Sequence, residues 1–541
     1  MKQFIVVSLS LLFFVILIRP GMAQTAPPLI VTLEEADGWD LPGVQSFVLA
    51  DQGQTWVIIG GRTDGLHRRQ PWATFQPEGN NSQIIVVDSQ TKEVWTAGLD
   101  DLSPGLQEQL QSTNMEFLTA GETLYILGGY GYSPAVDEHI TYPYLTAVDL
   151  PGLIGSVKSG ANVATHFRQI QDDRFRVTGG YLGRIGDEFI LVGGQDFEGR
   201  YNPMGPDHGP GFFQEYTNAI QRFSIVDDGT TLAVQDWQVT VDSLELHRRD
   251  YNLVPQLFPD GSYGYTAFSG VFRYDVDLPW LNTVDISSAG YTVVPGFNQY
   301  LNQYHTAHAA LHDSASQAMH TLFFGGIAQY YLNDQGSLVQ DDNVPFVRTI
   351  SMISRDQDGV MSESIVGMMP DYLGASAEFI PRPDLPTAAE GILEIGAWPE
   401  GQPVLIGHIL GGIRSTAPNI FFDNEGDLSE ASSQVYAVYA QRPVSTAIEV
   451  PRVDAEAYFQ LRLHPNPASD RLHIRFSTHK REWISLALYN LQGQRMGQYF
   501  EGELEAGSHE FEWHMQDLPA GTWFFRIHNG REFRLERTVI K

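Results

Sequence analysis

Short apolar runs that end in two glycines recur along this chain. Each follows an apolar stretch and a polar or glycine-containing turn, and each precedes a loop of variable length and a further apolar stretch. Apolar runs this short, bounded by turn residues, are typical of β-strands. The runs are WVIIGGR (56–62), LYILGGY (124–130), FILVGGQ (189–195), TLFFGGI (321–327) and IGHILGGI (406–413), with a degenerate copy, YTAFSGV (265–271).

The order strand, turn, strand, loop, strand, turn, strand describes one four-stranded antiparallel blade. A glycine pair at a strand end permits positive φ and close approach of neighbouring backbones. This pattern resembles the kelch β-propeller family. We therefore predict an all-β chain in which residues 24–440 form a six-bladed kelch-like β-propeller.

The first copy also resembles part of the Asp-box of sialidases, through Asp51, Gly53, Thr55 and Trp56. An Asp-box normally occupies the turn between the third and fourth strands of a blade, whereas this turn joins the first two. Leu49 stands where the motif usually has Ser. We interpret the segment as a hairpin turn, with Trp56 packed between blades.

The chain changes character after a Pro-containing linker, predicted at residues 441–457. Residues 458–541 alternate apolar and polar positions between turns, which predicts a small Ig-like β-sandwich. Three motifs occur there in order: Pro465-Asn-Pro-x-x-Asp470, Tyr489-Asn-x-x-Gly493 and Leu518-Pro-x-Gly521-x-Trp-x-x-Arg-Ile527. They resemble the C-terminal sorting domain of proteins exported by the type IX secretion system of Bacteroidota. That resemblance implies the type IX machinery as a partner and a secreted or outer-surface location.

The other end of the chain and the composition agree with export. Residues 1–23 resemble a signal peptide, with Lys2 before an apolar core, and no second apolar run predicts a transmembrane segment in the mature protein. The net charge of −32 disfavours nucleic acid as a partner. The chain contains no Cys, which excludes disulfides and Cys-ligated metals. It also excludes the Cys–Tyr cofactor of galactose-oxidase-type kelch proteins.

In an antiparallel blade, loops between strands two and three emerge on the same face as the connections between blades. These loops are long, as in 62–81, 130–143, 195–216 and 328–346, and long loops on a rigid scaffold commonly carry binding sites. Two Leu-His-Arg-Arg segments fall on this face, and paired arginines suit a carboxylate or acidic glycan. Ion pairs within the blades are the alternative role. The candidate ligand-binding residues are Arg62, Arg68, Arg69, Glu116, Arg248, Arg249, Asp250, Tyr251, His305, Glu378 and Arg414.

Function is less determined than architecture. No nucleophile motif is present, and His305, His308 and His312 do not converge on one strand face, so we assign no catalytic residue, metal or cofactor. We predict a propeller that binds an unidentified protein or glycan through its long-loop face, without catalysis. The alternatives are a carbohydrate-active enzyme, such as a kelch propeller that isomerises sialic acid, and a structural surface component.

Overall fold

The computed structural model describes residues 27–70, 72–202, 211–333, 338–443, 459, 461–466, 468, 471–478, 480–489, 495–514, 521–529 and 533–540. The predicted signal peptide, most of the predicted linker and parts of the three C-terminal motifs lie outside these residues. Contacts divide the chain into two compact units, Met1–Val444 and Ser445–Lys541.

The first unit contains six sheets in chain order, each built on four antiparallel strands, which form the blades of a β-propeller. Each blade runs from its innermost to its outermost strand, and the sixth takes its outermost strand from the start of the chain. The strands are Val48–Gln52, Thr55–Ile59, Gln83–Asp88 and Val94–Gly98 in blade 1; Glu116–Ala120, Thr123–Leu127, Tyr144–Asp149 and Phe167–Gln171 in blade 2; Thr178–Ile185, Glu188–Gly199, Ala219–Asp227 and Leu232–Val241 in blade 3; Asn252–Leu257, Tyr263–Phe268, Val284–Ser287 and Gly290–Val293 in blade 4; His308–Asp313, Ala318–Phe324, Thr349–Arg355 and Met361–Met368 in blade 5; and Tyr372–Pro381, Pro403–Ser415, Val435–Gln441 and Ile30–Glu35 in blade 6.

The strand Ile30–Glu35 closes the ring by pairing antiparallel with Val435–Gln441. Its buried side chain, Val31, packs in a core formed by blades 5 and 6. Trp56 is buried between blades 1 and 6, where it stacks on Trp39 and meets His408 with ring centroids 5.7 Å apart. The interpretation of the Asp51 segment as a hairpin turn is therefore confirmed.

The double glycines place two consecutive residues in the left-handed region. A Cβ on Gly128 would lie 1.9 Å from the carbonyl oxygen of Val177 at the start of the next blade, so no side chain fits there. The degenerate fourth copy keeps the same conformation, with Ser269 at φ 54° and Gly270 at φ 98°. The other pairs have φ values of 65° and 78° (Gly60, Gly61), 65° and 93° (Gly128, Gly129), 58° and 79° (Gly193, Gly194), 61° and 87° (Gly325, Gly326), and 70° and 85° (Gly411, Gly412).

From the sequence we expect short turns on the opposite face, between the first and second and between the third and fourth strands of each blade, but two of these connections are long. In blade 2 the third and fourth strands are joined by 150–166, which contains the helix Leu150–Ser159. In blade 6 the first and second strands are joined by 382–402, which carries the strands Thr387–Ala389 and Ile392–Glu394. A second helix, Pro104–Leu110, and the 3-10 turns Pro77–Gly79, Ala164–His166 and Asp173–Phe175 lie elsewhere in the propeller connections.

The long-loop face carries extra β-structure. Short strands extend the loops between the second and third strands of blades 2, 3, 5 and 6. They are Tyr130–Ser133 with Glu138–Thr141, Phe212–Tyr216, Tyr330–Leu332 with Leu338–Gln340, and Ser429–Ala431.

The second unit is a β-sandwich of a three-stranded and a four-stranded antiparallel sheet. Its core contains Ile474, Phe476, Leu486 and Phe525. The strands are Arg462–His464, Arg471–Thr478 and Gly507–His514 in one sheet, and Arg495–Leu504, Glu482–Tyr489, Gly521–His528 and Phe533–Ile540 in the other.

The closing strand gives a direct test of the ring. Replacing Val31 by Asp introduces an unpartnered carboxyl between blades 5 and 6, at a cost of about 3 kcal/mol or more. We expect a clear loss of thermal stability, measured by circular dichroism. Thr32→Asp, at the adjacent exposed position, is the matched control, and equal melting temperatures for the two variants would contradict this closure.

Candidate functional site

A ring of six equivalent residues surrounds the loop-face end of the central channel. They are the positive-φ residues Ser46, Asn114, Gly179, Asp250, His305 and Ser376, one at the start of each blade. We call this end of the channel the mouth.

Backbone hydrogen bonds link neighbouring ring residues at five of the six junctions between blades. In each, the amide of one ring residue donates to the carbonyl oxygen of the ring residue in the preceding blade. The bonds run from Ser46 to Ser376 (3.1 Å), Asn114 to Ser46 (3.2 Å), Gly179 to Asn114 (3.3 Å), Asp250 to Gly179 (2.7 Å) and Ser376 to His305 (2.7 Å).

The double glycines supply a second set of bonds between blades. The amide of the second glycine donates to a carbonyl at the start of the next blade, and five junctions again share the arrangement. The pairs are Gly61 to Ser112 (2.8 Å), Gly129 to Val177 (3.0 Å), Gly194 to Arg248 (2.8 Å), Gly326 to Leu373 (2.8 Å) and Gly412 to Val44 (2.8 Å).

The junction between blades 4 and 5 is the exception in both sets, and side chains bridge it. Asn252 Nδ2 donates to the carbonyl of Gln303 at 2.9 Å, and the amide of Thr306 donates to Asn252 Oδ1 at 3.0 Å. Ser269 Oγ donates to the carbonyl of Asn302 at 2.7 Å. An asparagine side chain thus takes the place of direct backbone contact at this one junction.

Three polar side chains of the mouth meet at this junction. Arg249 pairs with the carboxylate of Asp250, which also accepts a hydrogen bond from Asn114 Nδ2 at 3.1 Å. His305 Nδ1 lies 3.8 Å from Asp250 Oδ1. The side chains of Arg249, Asp250 and His305 are 16%, 18% and 26% exposed, so they are enclosed but solvent reaches them.

Aromatic residues from four loops form a wall beside this cluster. His67 stacks on Phe75 at 4.9 Å and meets Tyr201 and Phe421 edge-on at 4.8 and 5.9 Å. Tyr216 accepts a hydrogen bond from Arg249 Nε at 3.1 Å. These residues belong to the second-to-third-strand loops of blades 1, 3 and 6, and Phe272 of blade 4 lies 5.2 Å from the Arg249 guanidinium.

Burial keeps the histidines of the mouth neutral at physiological pH. It lowers the pKa of His67 to about 4. Burial also lowers the pKa of His305. The positive charge of Arg249 adds to this decrease, and the negative charge of Asp250 partly offsets it. A neutral imidazole both donates and accepts a hydrogen bond, so these rings suit an uncharged polar group.

Further titratable groups lie on the innermost strands of three blades. Burial raises the pKa of Glu378 to about 8. Burial also raises the pKa of Tyr181, and the charges of Glu378 and Asp250 add to the effect. The rings of Tyr181 and His308 lie 6.4 Å apart, edge to face.

The connection 382–402 lies across the opposite end of the channel. Its strand Ile392–Glu394 pairs parallel with the innermost strand of blade 5. Glu390 accepts hydrogen bonds from Arg184 of blade 3 at 3.1 Å and, through its carbonyl, from Tyr263 of blade 4 at 3.3 Å. The connection 382–402 therefore covers the floor of the channel, at the end opposite the mouth.

Several of the sequence-predicted residues have structural partners instead of facing the mouth. Arg248 is 2% exposed, donates to the carbonyls of Glu245, Ser269 and Asn282, and stacks on Trp280. The prediction that Arg248 and Arg249 hold a carboxylate together is therefore wrong, because Arg248 is buried against Trp280 and Arg249 pairs with Asp250 at the mouth.

The same holds for four other candidates. Arg62 is buried and donates hydrogen bonds to Asp64 and Asn80. Tyr251 is buried and donates to the carbonyl of Val192, and Glu116 is buried and accepts from the amide of Gly180. Arg414 forms ion pairs with Asp371 and Glu430. Arg68 is exposed, and Arg69 lies over Phe422 at 4.5 Å. Arg249, Asp250 and His305 are thus the predicted residues that the fold brings together.

Sequence reasoning did not name the residues of the aromatic wall or Tyr181. The available signal for the wall was its position in the long loops of blades 1, 3 and 6, whereas Tyr181 lies on the innermost strand of blade 3. The wall residues from these loops are His67, Phe75, Tyr201, Tyr216 and Phe421. Among the described residues, no group of three or more His, Asp or Glu side chains is placed to hold a metal ion. His312 instead pairs with Glu394.

Comparison with known proteins identifies the C-terminal unit. The family described as "Secretion system C-terminal sorting domain" matches residues 462–541. This segment is a type IX secretion sorting domain. The sorting domain marks the protein as secreted or displayed on the outer cell surface, and implies an interaction with the type IX machinery. Within the described parts of the chain, no helix has the length and hydrophobicity to cross a membrane.

Comparison of the propeller is less specific. No curated protein matches the chain. The solved structure titled "Structure of YjhT" covers 74% of this chain and 99% of its own, at 11% identity and a TM-score of 0.39. Those values are too low to support an inference about this protein.

The neighbours Arg248 and Arg249 form a matched pair for a stability test. Arg248→Met leaves buried carbonyls without donors and is expected to cost about 3 kcal/mol. Arg249→Met leaves the Asp250 carboxylate with solvent access and with its hydrogen bond from Asn114 Nδ2, so it is expected to cost less than Arg248→Met. Urea unfolding of both variants measures the difference, and equal losses would show that Arg249 is also a structural residue.

Glu378 is expected to make stability depend on pH. Its pKa is raised from 4.5 to about 8 in the folded state, so the folded protein binds more protons than the unfolded chain between these values. The stabilisation is complete below the unfolded pKa and is lost as the pH rises through the folded pKa. Glu378→Gln should therefore melt like the wild type near pH 5 and several degrees higher near pH 9. The exposed Asp384→Asn is the control, and an unchanged difference across this range would refute the assignment.

Proposed function

We propose that this protein is an exported, kelch-like six-bladed propeller that binds an extracellular glycan or protein ligand at its mouth. The kelch assignment rests on six strand-ending pairs with two successive positive-φ residues. The binding assignment rests on one observation, the convergence of Arg249, Asp250 and His305 beside the aromatic wall. Polar groups enclosed by aromatic side chains on a rigid scaffold are the usual composition of a ligand site.

A carbohydrate-active enzyme is the second candidate. It is favoured by Glu378 of blade 6, whose pKa burial raises to about 8, and by Tyr181 and His308 on the inner strands of blades 3 and 5. A carboxyl of this kind suits general acid catalysis. A purely structural surface role has less support, because it gives no reason for polar groups to converge at the mouth.

Binding is tested with the purified full-length chain on a glycan array and by capture of proteins from the surroundings of the cell. We expect the double variant Arg249→Ala, Asp250→Ala to lose the ligand found for the wild type. The control is Arg382→Ala, which removes an ion pair with Asp384 in the connection 382–402, at the opposite end of the channel. Retained binding by the mouth variant would reject the proposed site.

The same ligands separate binding from catalysis. If the protein is a binding module, nuclear magnetic resonance should show bound sugars unchanged over time. Turnover that disappears in Glu378→Gln, while binding is retained, would establish the enzyme alternative instead.

A further inference from the structure

We infer that the mouth recognises an uncharged sugar ring of a glycan, held at the junction between blades 4 and 5. This inference rests on the proposed function and makes its ligand class specific. It draws on the geometry of the junction, the charge balance of the mouth and the chemistry of the surrounding side chains.

The junction is where the symmetry of the propeller is broken. The other five junctions are closed by backbone bonds in both sets, whereas here Asn252 and Ser269 bridge the blades through their side chains. Asp250 and His305 are the ring residues on its two sides, with Arg249 beside them. Polar side chains that solvent can reach are therefore gathered at the one position where the backbone ring is open.

The charges of the mouth argue against an acidic ligand. The guanidinium of Arg249 is already paired with Asp250, and the nearby Arg62 is paired with Asp64. The chain before residue 458 holds 55 acidic and 22 basic residues. The net negative charge of the chain repels anions at long range, and a carboxylated or sulfated sugar that paired with Arg249 would have to displace Asp250. The acidic glycan expected from the Leu-His-Arg-Arg segments is thus disfavoured.

The remaining groups match the two kinds of surface on a neutral sugar. Asp250 can accept and Arg249 can donate hydrogen bonds to neighbouring hydroxyls, and the neutral His305 can do either. His67, Tyr201 and Phe421 present ring faces and edges beside them, against which the C–H face of a pyranose can pack. Aromatic wall and charged pair together suit a terminal or side-chain sugar that enters from the loop face.

The test compares neutral and acidic oligosaccharides of equal size as probes of the full-length chain, by calorimetry. The wild type should bind a neutral probe and bind sialylated, uronate-containing or sulfated probes more weakly. Asp250→Asn keeps the shape but removes the charge, so affinity for the neutral probe should fall about tenfold. Because the substitution also releases Arg249, affinity for acidic probes should rise. Asp384→Asn, a surface carboxylate paired with Arg382 outside the mouth, is the control and should change neither.

The outcomes separate this inference from the proposed function. Preference of the wild type for acidic probes, or a lack of response of either probe class to Asp250→Asn, would overturn the inference. The mouth would still be the binding site if Arg249→Ala, Asp250→Ala abolished acidic-glycan binding or protein capture. If no ligand's binding responds to the mouth variants, both the inference about a neutral sugar and the proposed binding site are wrong.

Discussion

Consecutive left-handed residues at the end of each second strand are the constraint on which the propeller depends. They turn the backbone so that the amide of the second residue reaches the next blade, and they leave no space for a Cβ at positions such as Gly128. Each blade also has a positive-φ ring residue at its innermost strand. Backbone hydrogen bonds from the ring residues and from the double glycines join neighbouring blades around the channel. A chain without Cys has no disulfides to hold these blades. The hydrogen bonds between blades and the closing strand Ile30–Glu35 therefore hold the ring of blades together.

Blade 4 departs from the double-glycine repeat, and its junction with blade 5 differs from the other five. In blade 4 a serine replaces the first glycine and keeps its left-handed conformation, but its hydroxyl, not a backbone amide, reaches the next blade. Asn252 completes the bridge with its amide. Arg249, Asp250 and His305 gather at this junction, enclosed but partly reached by solvent.

The two ends of the channel serve different purposes. At the floor, the connection 382–402 contacts blades 3, 4 and 5 and uses Glu394 and Glu390 in hydrogen bonds to the scaffold. At the mouth, the loops of different blades contribute aromatic rings that touch one another, as His67 does with Tyr201 and Phe421. The site that we propose lies at the mouth, on a protein whose sorting domain marks it for export.

The sequence by itself determined the repeat number, the strand order and the export address, because these reside in local patterns. Glycine pairs report a backbone conformation that few other residues adopt, and the sorting motifs are contiguous. Only the tertiary structure decided which side chains share a site. Arg248 and Arg249 are neighbours in the chain, yet one is buried under Trp280 and the other pairs with Asp250 at the mouth. Glu116 and Glu378 occupy equivalent positions on their innermost strands. In each blade the glutamate lies opposite the residue that precedes the double glycine on the second strand. Glu116 accepts a hydrogen bond from the amide of Gly180 in the next blade, whereas burial alone raises the pKa of Glu378. Such differences arise from contacts between blades far apart in sequence, and no local pattern encodes them.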